Sequence, residues 1–437
     1  MDESSSDVDL LFKEAARGAG ALAHVLDPTQ AMERGTKLRR FARRRREALS
    51  VLVVLVAVVV FLVPLPQLHL FGSGGTGSTT GKNTNTSPLG STDTTTPVTG
   101  IGPRGGVIPA HFQPTSFTAV SLEEWWMLGT ARCLTGSGTC GAIVRTTDAG
   151  SRFAGIPSPP VSANDVTQVR FANALDGYAF DPELWETTNG GTSWARVTTP
   201  GPVAELEVAG GEAYALTCPA GFAKCQAMDL LRAPVASPHW HKASTPVTLG
   251  YGAQFAVSGP DLYLLSGNEP PLVLLYSADK AMKFSRRIDP CNPGLGGRVT
   301  AAANGGPALW AACPTGTMAE VKLSANGARS WIVGTPGGAF PNSVGLAPAS
   351  ASDALVWPGP ETNGPIATLV RTTNGGKSYS AVISKSSSGF ATVVWAGFSD
   401  PARAYALIQE GDWPDTTTHL YESIDGGATW HPVAIKS

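Results

Sequence analysis

A chain of 437 residues holds two or three domains, or one large all-β domain with extra segments. Only 15% of the residues are charged, while glycine and proline number 50 and 34, which suits a turn-rich β protein. The net charge of −2 gives no reason to expect nucleic acid as a partner of the chain as a whole.

Residues 1–47 are polar and charged, and are expected to form a short cytoplasmic tail. Leu11, Ala15, Leu22 and Leu26 fall near one face of a helix that Asp27-Pro28 would end, while Gly18 and Gly20 oppose it. A partly ordered tail is the plain reading, and docking of a cytoplasmic partner the functional one. Six arginines crowd into Arg39–Arg46, directly before an apolar stretch. That position gives them a topological role, with contact to anionic lipid heads, rather than a role in binding nucleic acid.

The apolar stretch, within 48–66, is long enough to cross a bilayer as one helix, and Pro64 and Pro66 end it. Arginines before it and none just after set the N-terminus inside. The rival reading is a cleaved signal peptide. The charged lead is too long for one, and no small-x-small cleavage site follows. Residues 67–106 are expected to form a flexible stalk: 72–105 are mostly Gly, Ser, Thr, Asn and Pro without apolar periodicity, and as a coil would span on the order of 30–35 Å r.m.s.. The expected location is therefore the plasma membrane, single-pass, with residues 107–437 outside the cell.

Within 107–437 an eight-residue pattern recurs. Ser423-Ile424-Asp425-Gly426-Gly427-Ala428-Thr429-Trp430 is one copy; others start at Thr187 and Thr372, and a worn one at Thr146. Asp148, Asn189, Asn374 or Asp425 turns its side chain onto turn N–H groups, and Gly supplies the positive φ. The aromatic residue that closes the turn starts the next strand and is expected to pack inward. Phe153, Trp194, Trp240, Phe284, Trp331, Tyr379 and Trp430 are 41, 46, 44, 47, 48 and 51 residues apart. The turns before Trp240, Phe284 and Trp331 have lost most of the pattern but keep its phase. A second series lies upstream: Trp126, Tyr178, Tyr214, Tyr263, Trp310, Trp357 and Tyr405. Two series of seven predict seven units of four short strands, a seven-bladed all-β propeller. The alternative, a two-sheet sandwich, does not keep a fixed period over such a length. Closure needs no N-terminal strand in the last blade, although Gly105–Phe112 has room to add one.

This turn resembles the Asp-box, or BNR, repeat of sialidase-like propellers, a group that includes photosystem II assembly factors and sortilin-type receptors. The resemblance covers roughly residues 110–435 and implies the propeller fold. It gives Asp148, Asn189, Asn374 and Asp425 a structural role in turns. It points equally to glycosidases and to proteins that bind proteins or peptides.

The six cysteines all fall in the segment expected outside the membrane. Cys133 and Cys140, like Cys218 and Cys225, flank the connection between a second and third strand. Cys313 holds the same blade position, which leaves Cys291 as its partner. Three disulfides follow. No histidine cluster lies near them to suggest a metal instead.

Catalysis finds little support in the motifs. The resemblance to sialidases calls for an arginine triad, yet Arg152-Phe153-Ala154-Gly155-Ile156-Pro157 only scatters the expected motif, and Arg170, Arg298 and Arg371 do not complete it. Glu123-Glu124, Glu183, Glu205, Glu207, Asp412 and Asp415 are glycosidase candidates by type alone. His239 and His241 fall on one face of a strand without a visible third ligand. No cofactor, metal or catalytic residue is expected. The expected function is binding of a protein or glycan at a bacterial cell surface, with a surface glycoside hydrolase as the alternative. Carboxylates and arginines converging at the channel would favour the hydrolase.

Overall fold

The computed structural model describes residues 106–436, apart from 134–137, 236–238, 268–271, 293–294, 335–339, 342–343, 360–363 and 413–414. The expected tail, membrane helix and stalk lie outside the described residues, save Gly106. Among the described residues no helix is long and apolar enough to cross a membrane. Gly106, placed at the end of the stalk from sequence, already donates its N–H to Gly155 O in the first sheet at 2.9 Å.

The described residues form a seven-bladed β-propeller. Each blade is an antiparallel meander of four strands. Blade 1 is Gln113–Ala119, Trp125–Arg132, Thr139–Thr146 and Ala154–Ile156. Blade 2 is Val166–Phe171, Gly177–Pro182, Leu184–Thr187 and Ala195–Val197. Blade 3 is Val203–Ala209, Glu212–Thr217, Asp229–Pro234 and His241–Lys242. Blade 4 is Gln254–Ser258, Asp261–Leu265, Leu274–Ser277 and Ser285–Arg287. Blade 5 is Arg298–Ala301, Leu309–Pro314, Met318–Ser324 and Ile332–Val333, with Phe340–Pro341 pairing Met318–Ala319 as well. Blades 6 and 7 are fused into one seven-stranded sheet. Val344–Pro348, Ala354–Pro358 and Gly364–Thr372 precede the shared 21-residue strand Ser380–Asp400, and Arg403–Asp412, Asp415–Ser423 and His431–Val433 follow it.

First strands of successive blades neighbour one another around the ring, and so line the central channel. The core lies between blades, not within them. Among the described residues there are seven apolar clusters, one for each pair of adjacent blades. Side-chain alternation produces this. In the second strand of blade 3, Tyr214 and Leu216 enter the cluster shared with blade 4, while Ala213 and Ala215 enter the one shared with blade 2. Trp126 and Leu128 face blade 2 and Trp125 and Met127 face blade 7 in the same way. A second strand buried on both faces reads as a continuous apolar run.

The two aromatic series meet across these interfaces, out of step by one blade. Trp126 of blade 1 shares a cluster with Trp194 of blade 2. Tyr178 meets Trp240 edge-on, with ring centroids 5.9 Å apart. Tyr214 is grouped with Phe284, Tyr263 with Trp331, Trp310 with Tyr379, and Trp357 with Trp430. Tyr405 of blade 7 and Phe153 of blade 1 close the cycle. Inward packing of the closing aromatic is complete only for Phe153 and Trp194; the other five stay partly exposed at the rim. One member of the upstream series is misplaced. Register sets Tyr178 opposite Glu186, Tyr405 opposite Glu422 and Trp126 opposite Arg145, the residues just before each turn. In blade 6 the residue opposite the corresponding Arg371 is Leu355, so Trp357 lies two positions further on, on the same face.

The ring closes without an added strand. Gly106–Phe112 contributes no strand. Instead Ile108 and Phe112 pack into the cluster between blades 7 and 1, joined by Val433 and Ile435 from the C-terminal end. Phe117 and Tyr405 rings lie 4.5 Å apart there, and Phe153 N–H donates to Lys436 O at 2.8 Å.

Replacing an interface aromatic should therefore loosen the whole ring. Trp194→Ala is expected to cost about 3–5 kcal/mol in guanidinium unfolding, against less than about 0.5 kcal/mol for the exposed Ile332→Ala.

Candidate ligand-binding face

An antiparallel meander sends its first-to-second and third-to-fourth turns to one end of the ring. Its second-to-third turns and the links between blades go to the other. The two ends are built differently.

At the first end the turns are short and alike. Ser423 Oγ donates to Asp425 Oδ1 at 2.7 Å and accepts Gly427 N–H at 2.9 Å, while Asp425 Oδ1 accepts Ala428 and Thr429 N–H at 3.0 and 2.9 Å. Thr429 Oγ1 also donates to Asp425 Oδ2 at 2.6 Å, and this bond, with the Thr429 N–H and the others, holds the Asp425 carboxyl well below the usual carboxylate range. The same two-residue scaffold recurs as Thr146/Asp148, Thr187/Asn189, Ser324/Asn326 and Thr372/Asn374. The Ser324/Asn326 turn of blade 5 is one place where the sequence keeps little of the pattern, and blade 4 is another. In blade 4, Ser277 Oγ donates to Asp279 at 2.8 Å, and Asp279 accepts Lys283 N–H at 2.9 Å. Lys280 and Ala281 occupy the positions where glycine was expected, at φ 60° and 59°. The Ser-x-Asp pair and the aromatic five residues later were the available signal, and the requirement for paired glycines hid it. The acids bond within their own turns, and Asp148 also pairs with the exposed Arg152 of its turn at 3.3 Å.

At the opposite end lie all three disulfides, Cys133–Cys140, Cys218–Cys225 and Cys291–Cys313, paired as expected from position. The longer connections are here too: Cys218–Met228 within blade 3, Ala243–Ala253 between blades 3 and 4, and Ile288–Gly297 between blades 4 and 5. At the first end, blade 3 turns through Gly210–Gly211 alone. The fused sheet of blades 6 and 7 also extends toward the disulfide end, where Gly364 pairs with Ala391 and Asp412 with Asp415. The side chains of Asp412 and Asp415 lie outside the described residues.

The channel wall brings together four charged residues that were candidates by type alone. Glu205 and Glu207 sit two apart on the first strand of blade 3, Arg170 on that of blade 2 and Arg298 on that of blade 5. Arg170 Nη2 donates to Glu207 Oε1 at 2.8 Å. Glu205 Oε2 accepts Phe255 N–H of blade 4 at 3.1 Å. This is one case of a general device. An innermost strand is a sheet edge with unpaired backbone groups, and side chains of the preceding blade satisfy them. Ser116 Oγ accepts Val169 N–H at 3.0 Å, and Gln254 Nε2 donates to Gly297 O at 2.5 Å. Burial, and then the Glu207 carboxylate beside it, push Glu205 up to about 8, against the pull of Arg298. On blades 6 and 7 the matching positions are Gly345 and Trp395, so the polar wall covers one side of the channel only.

The remaining candidates do not converge. Glu124 pairs with Arg145, Glu183 with Arg196 at 2.9 Å, and Arg371 with Asp353 at 3.3 Å. His239 and His241 are exposed at the perimeter of blade 3, where His241 begins the short fourth strand and His239 precedes it. The described residues contain no group of three or more His, Cys, Asp or Glu arranged to hold a metal.

No family model matches this chain, and no curated protein does. Solved structures match in fold. The chain is similar to the β-propeller domain of the Trilobed protease from Pyrococcus furiosus, described with an open velcro topology (8% identity, 75% of this chain and 96% of that one, TM-score 0.51). It is similar to YCF48 bound to D1 peptide (15%, 70% and 93%, TM-score 0.47). It is also similar to the GH74 enzyme of Niastella koreensis (10%, 74% and 71%, TM-score 0.28). At these identities the likeness is one of fold alone.

Glu205 gives a pH test. Its carboxyl is shifted up from 4.5, so between about 4.5 and about 8 the native state keeps a proton that the unfolded chain has lost. Stability should fall as pH rises through that window. Melting curves at pH 5 and pH 9 are expected to show Glu205→Gln gaining on the wild type as pH rises.

Proposed function

We propose that this chain is a non-enzymatic binding protein that takes a protein or glycan ligand on the disulfide-bearing end of the ring. The observation that carries this reading is the asymmetry of the two ends. One is made of near-identical self-bonded turns. The other holds every disulfide, the longest connections and the projecting fused sheet. Long loops held on a rigid scaffold are where proteins place binding surfaces, and cross-linking such loops lowers the entropy lost on binding.

The turns are assigned in this reading to the Asp-box class, which their Ser/Thr-x-Asp/Asn hydrogen-bond pattern supports. Display outside a bacterial cell on a single membrane helix is supported by the apolar stretch within 48–66, the arginines before it and the three disulfides, which suit an oxidising compartment. On peptide and glycan arrays probed with the full chain, Phe222→Ser/Tyr251→Ser at the disulfide end should lose at least about tenfold of any signal, a loss of about 1.4 kcal/mol. Met282→Glu/Ile424→Glu at the other end should lose none. The reverse pattern would move the site to the other end.

A surface glycoside hydrolase is the second reading, favoured by one feature. Glu205 and Glu207 share a strand face, Glu205 keeps a proton near neutrality and Glu207 is held by Arg170. This is the division of labour expected of a general acid and its partner carboxylate. The binding reading is preferred because both carboxylates are already engaged in tying blades together. Turnover on a panel of fluorogenic glycosides, abolished by Glu207→Gln in a protein that still melts normally, would reverse that preference.

A further inference from the structure

The disulfide end is uneven in chemistry as well as in shape. Across blades 3, 4 and 5 it exposes five large apolar side chains: Phe222 (39% exposed), Tyr251 (57%), Ile288 (55%), Leu295 (48%) and Met318 (37%). Phe222 sits inside the Cys218–Cys225 loop, on a short 3-10 turn, Phe222–Lys224. Leu295 lies between Cys291 and the first strand of blade 5, and Met318 follows Cys313 across the next turn. Tyr251 lies in the link from blade 3 to blade 4. At the other end the exposed large apolar residues, Leu122, Leu175, Met282 and Ile424, are dispersed one per turn over blades 1, 2, 4 and 7. Apolar groups held in the open on cross-linked loops lose little entropy on being covered, which is the property of an anchor site.

The charges of the same loops are equally one-sided. Among the described residues the acids here are spoken for. Asp229 pairs with Lys242 at 2.7 Å, and Glu320 with Lys322 at 3.8 Å. Asp289 accepts Leu274 N–H at 2.5 Å. Lys224, beside Phe222, and Arg298, at the channel mouth, are two cations here without an ion pair or hydrogen bond among the described residues, and both are exposed. The complement of this surface carries apolar side chains and negative charge together. A neutral glycan supplies no carboxylate, and an acidic glycan supplies no large apolar side chain.

We propose that blades 3 to 5 dock an extended segment of a partner protein that carries both apolar side chains and carboxylates. The apolar groups cover Phe222, Tyr251, Leu295 and Met318, and the carboxylates face Lys224 and Arg298. This deepens the binding reading above and rests on it. A peptide ordered only on binding fits such a site, because side-chain anchors with charge steering give specificity over a modest area.

The test uses two fluorescein-labelled twelve-residue peptides, one built from leucine and glutamate and one from leucine and lysine, titrated into the full chain by anisotropy. The acidic peptide should bind at least about tenfold more tightly than the lysine peptide at low salt and weaken as salt rises. Lys224→Glu/Arg298→Glu should abolish that preference, and Phe222→Ser/Tyr251→Ser should weaken both peptides. Equal affinity for the two peptides, no binding of either, or indifference to the charge reversal would overturn the acidic-segment proposal. A lysine peptide that binds best and is lost in Phe222→Ser/Tyr251→Ser would end this proposal and leave the disulfide-end reading standing. Binding lost only in Met282→Glu/Ile424→Glu would end both.

Discussion

A four-stranded blade is too narrow to enclose a core, so each one depends on its neighbours for burial. The interaction on which the ring rests is the meeting of two aromatic series, one from the second strand of a blade and one from the closing turn of the next. An aromatic side chain buries about 150–250 Å², and at about 25 cal/mol per Å² that is on the order of 4–6 kcal/mol of transfer free energy. Exposed ion pairs such as Arg152–Asp148 contribute far less. Aromatic packing between blades therefore sets the architecture, and the ion pairs decorate it. The seam between blades 7 and 1 follows the same rule. Its cluster of Phe117, Trp125, Tyr405 and Phe153 is as aromatic as any other, and Ile108, Phe112 and Ile435 fill the space at its edge, so closure needs no shared strand.

Hydrogen bonding divides into two tasks at two radii. At the rim, a hydroxyl and an Asp or Asn satisfy the N–H groups of a turn that must pass through left-handed backbone. The work falls to the side chains, which is why Lys280 and Ala281 are tolerated where glycine is expected. At Gly191, by contrast, φ is +87°, a backbone conformation that residues with a Cβ rarely adopt, and that favours glycine there. At the axis, Ser116, Glu205 and Gln254 tie blade 1 to blade 2, blade 3 to blade 4 and blade 4 to blade 5. These ties make the channel polar on the side of blades 1 to 5. They also explain why a buried carboxylate survives there: it has a backbone donor, an ion pair beside it and a raised affinity for its proton.

Function on such a scaffold is a matter of what the scaffold leaves free. Turns at one end use up their polar groups on themselves. At the other end the links between blades run from rim to axis and vary in length, and disulfides cross-link the connections at Cys133–Cys140, Cys218–Cys225 and Cys291–Cys313. That end is where surface chemistry is under no obligation to the fold, and where unpaired cations and exposed apolar groups collect on blades 3 to 5.

Much of this was legible in the chain itself. Periodicity alone gave seven blades, because each blade repeats the same burial problem and so the same aromatic at the same interval. The positions of Cys133, Cys218 and Cys313 gave the disulfides, because equivalent blade positions put partners within reach. Other features were closed to sequence reasoning. The turn of blade 4 was hidden because its hydrogen-bonding residues, not its glycines, carry the geometry. Trp357 was read as the phase marker where Leu355 holds the place, because both point to the same face two residues apart. The fusion of blades 6 and 7 and the convergence of Arg170, Glu205, Glu207 and Arg298 depend on tertiary structure alone. A linear period orders residues along the chain, and only closing the ring decides which inner strands face one another across its axis.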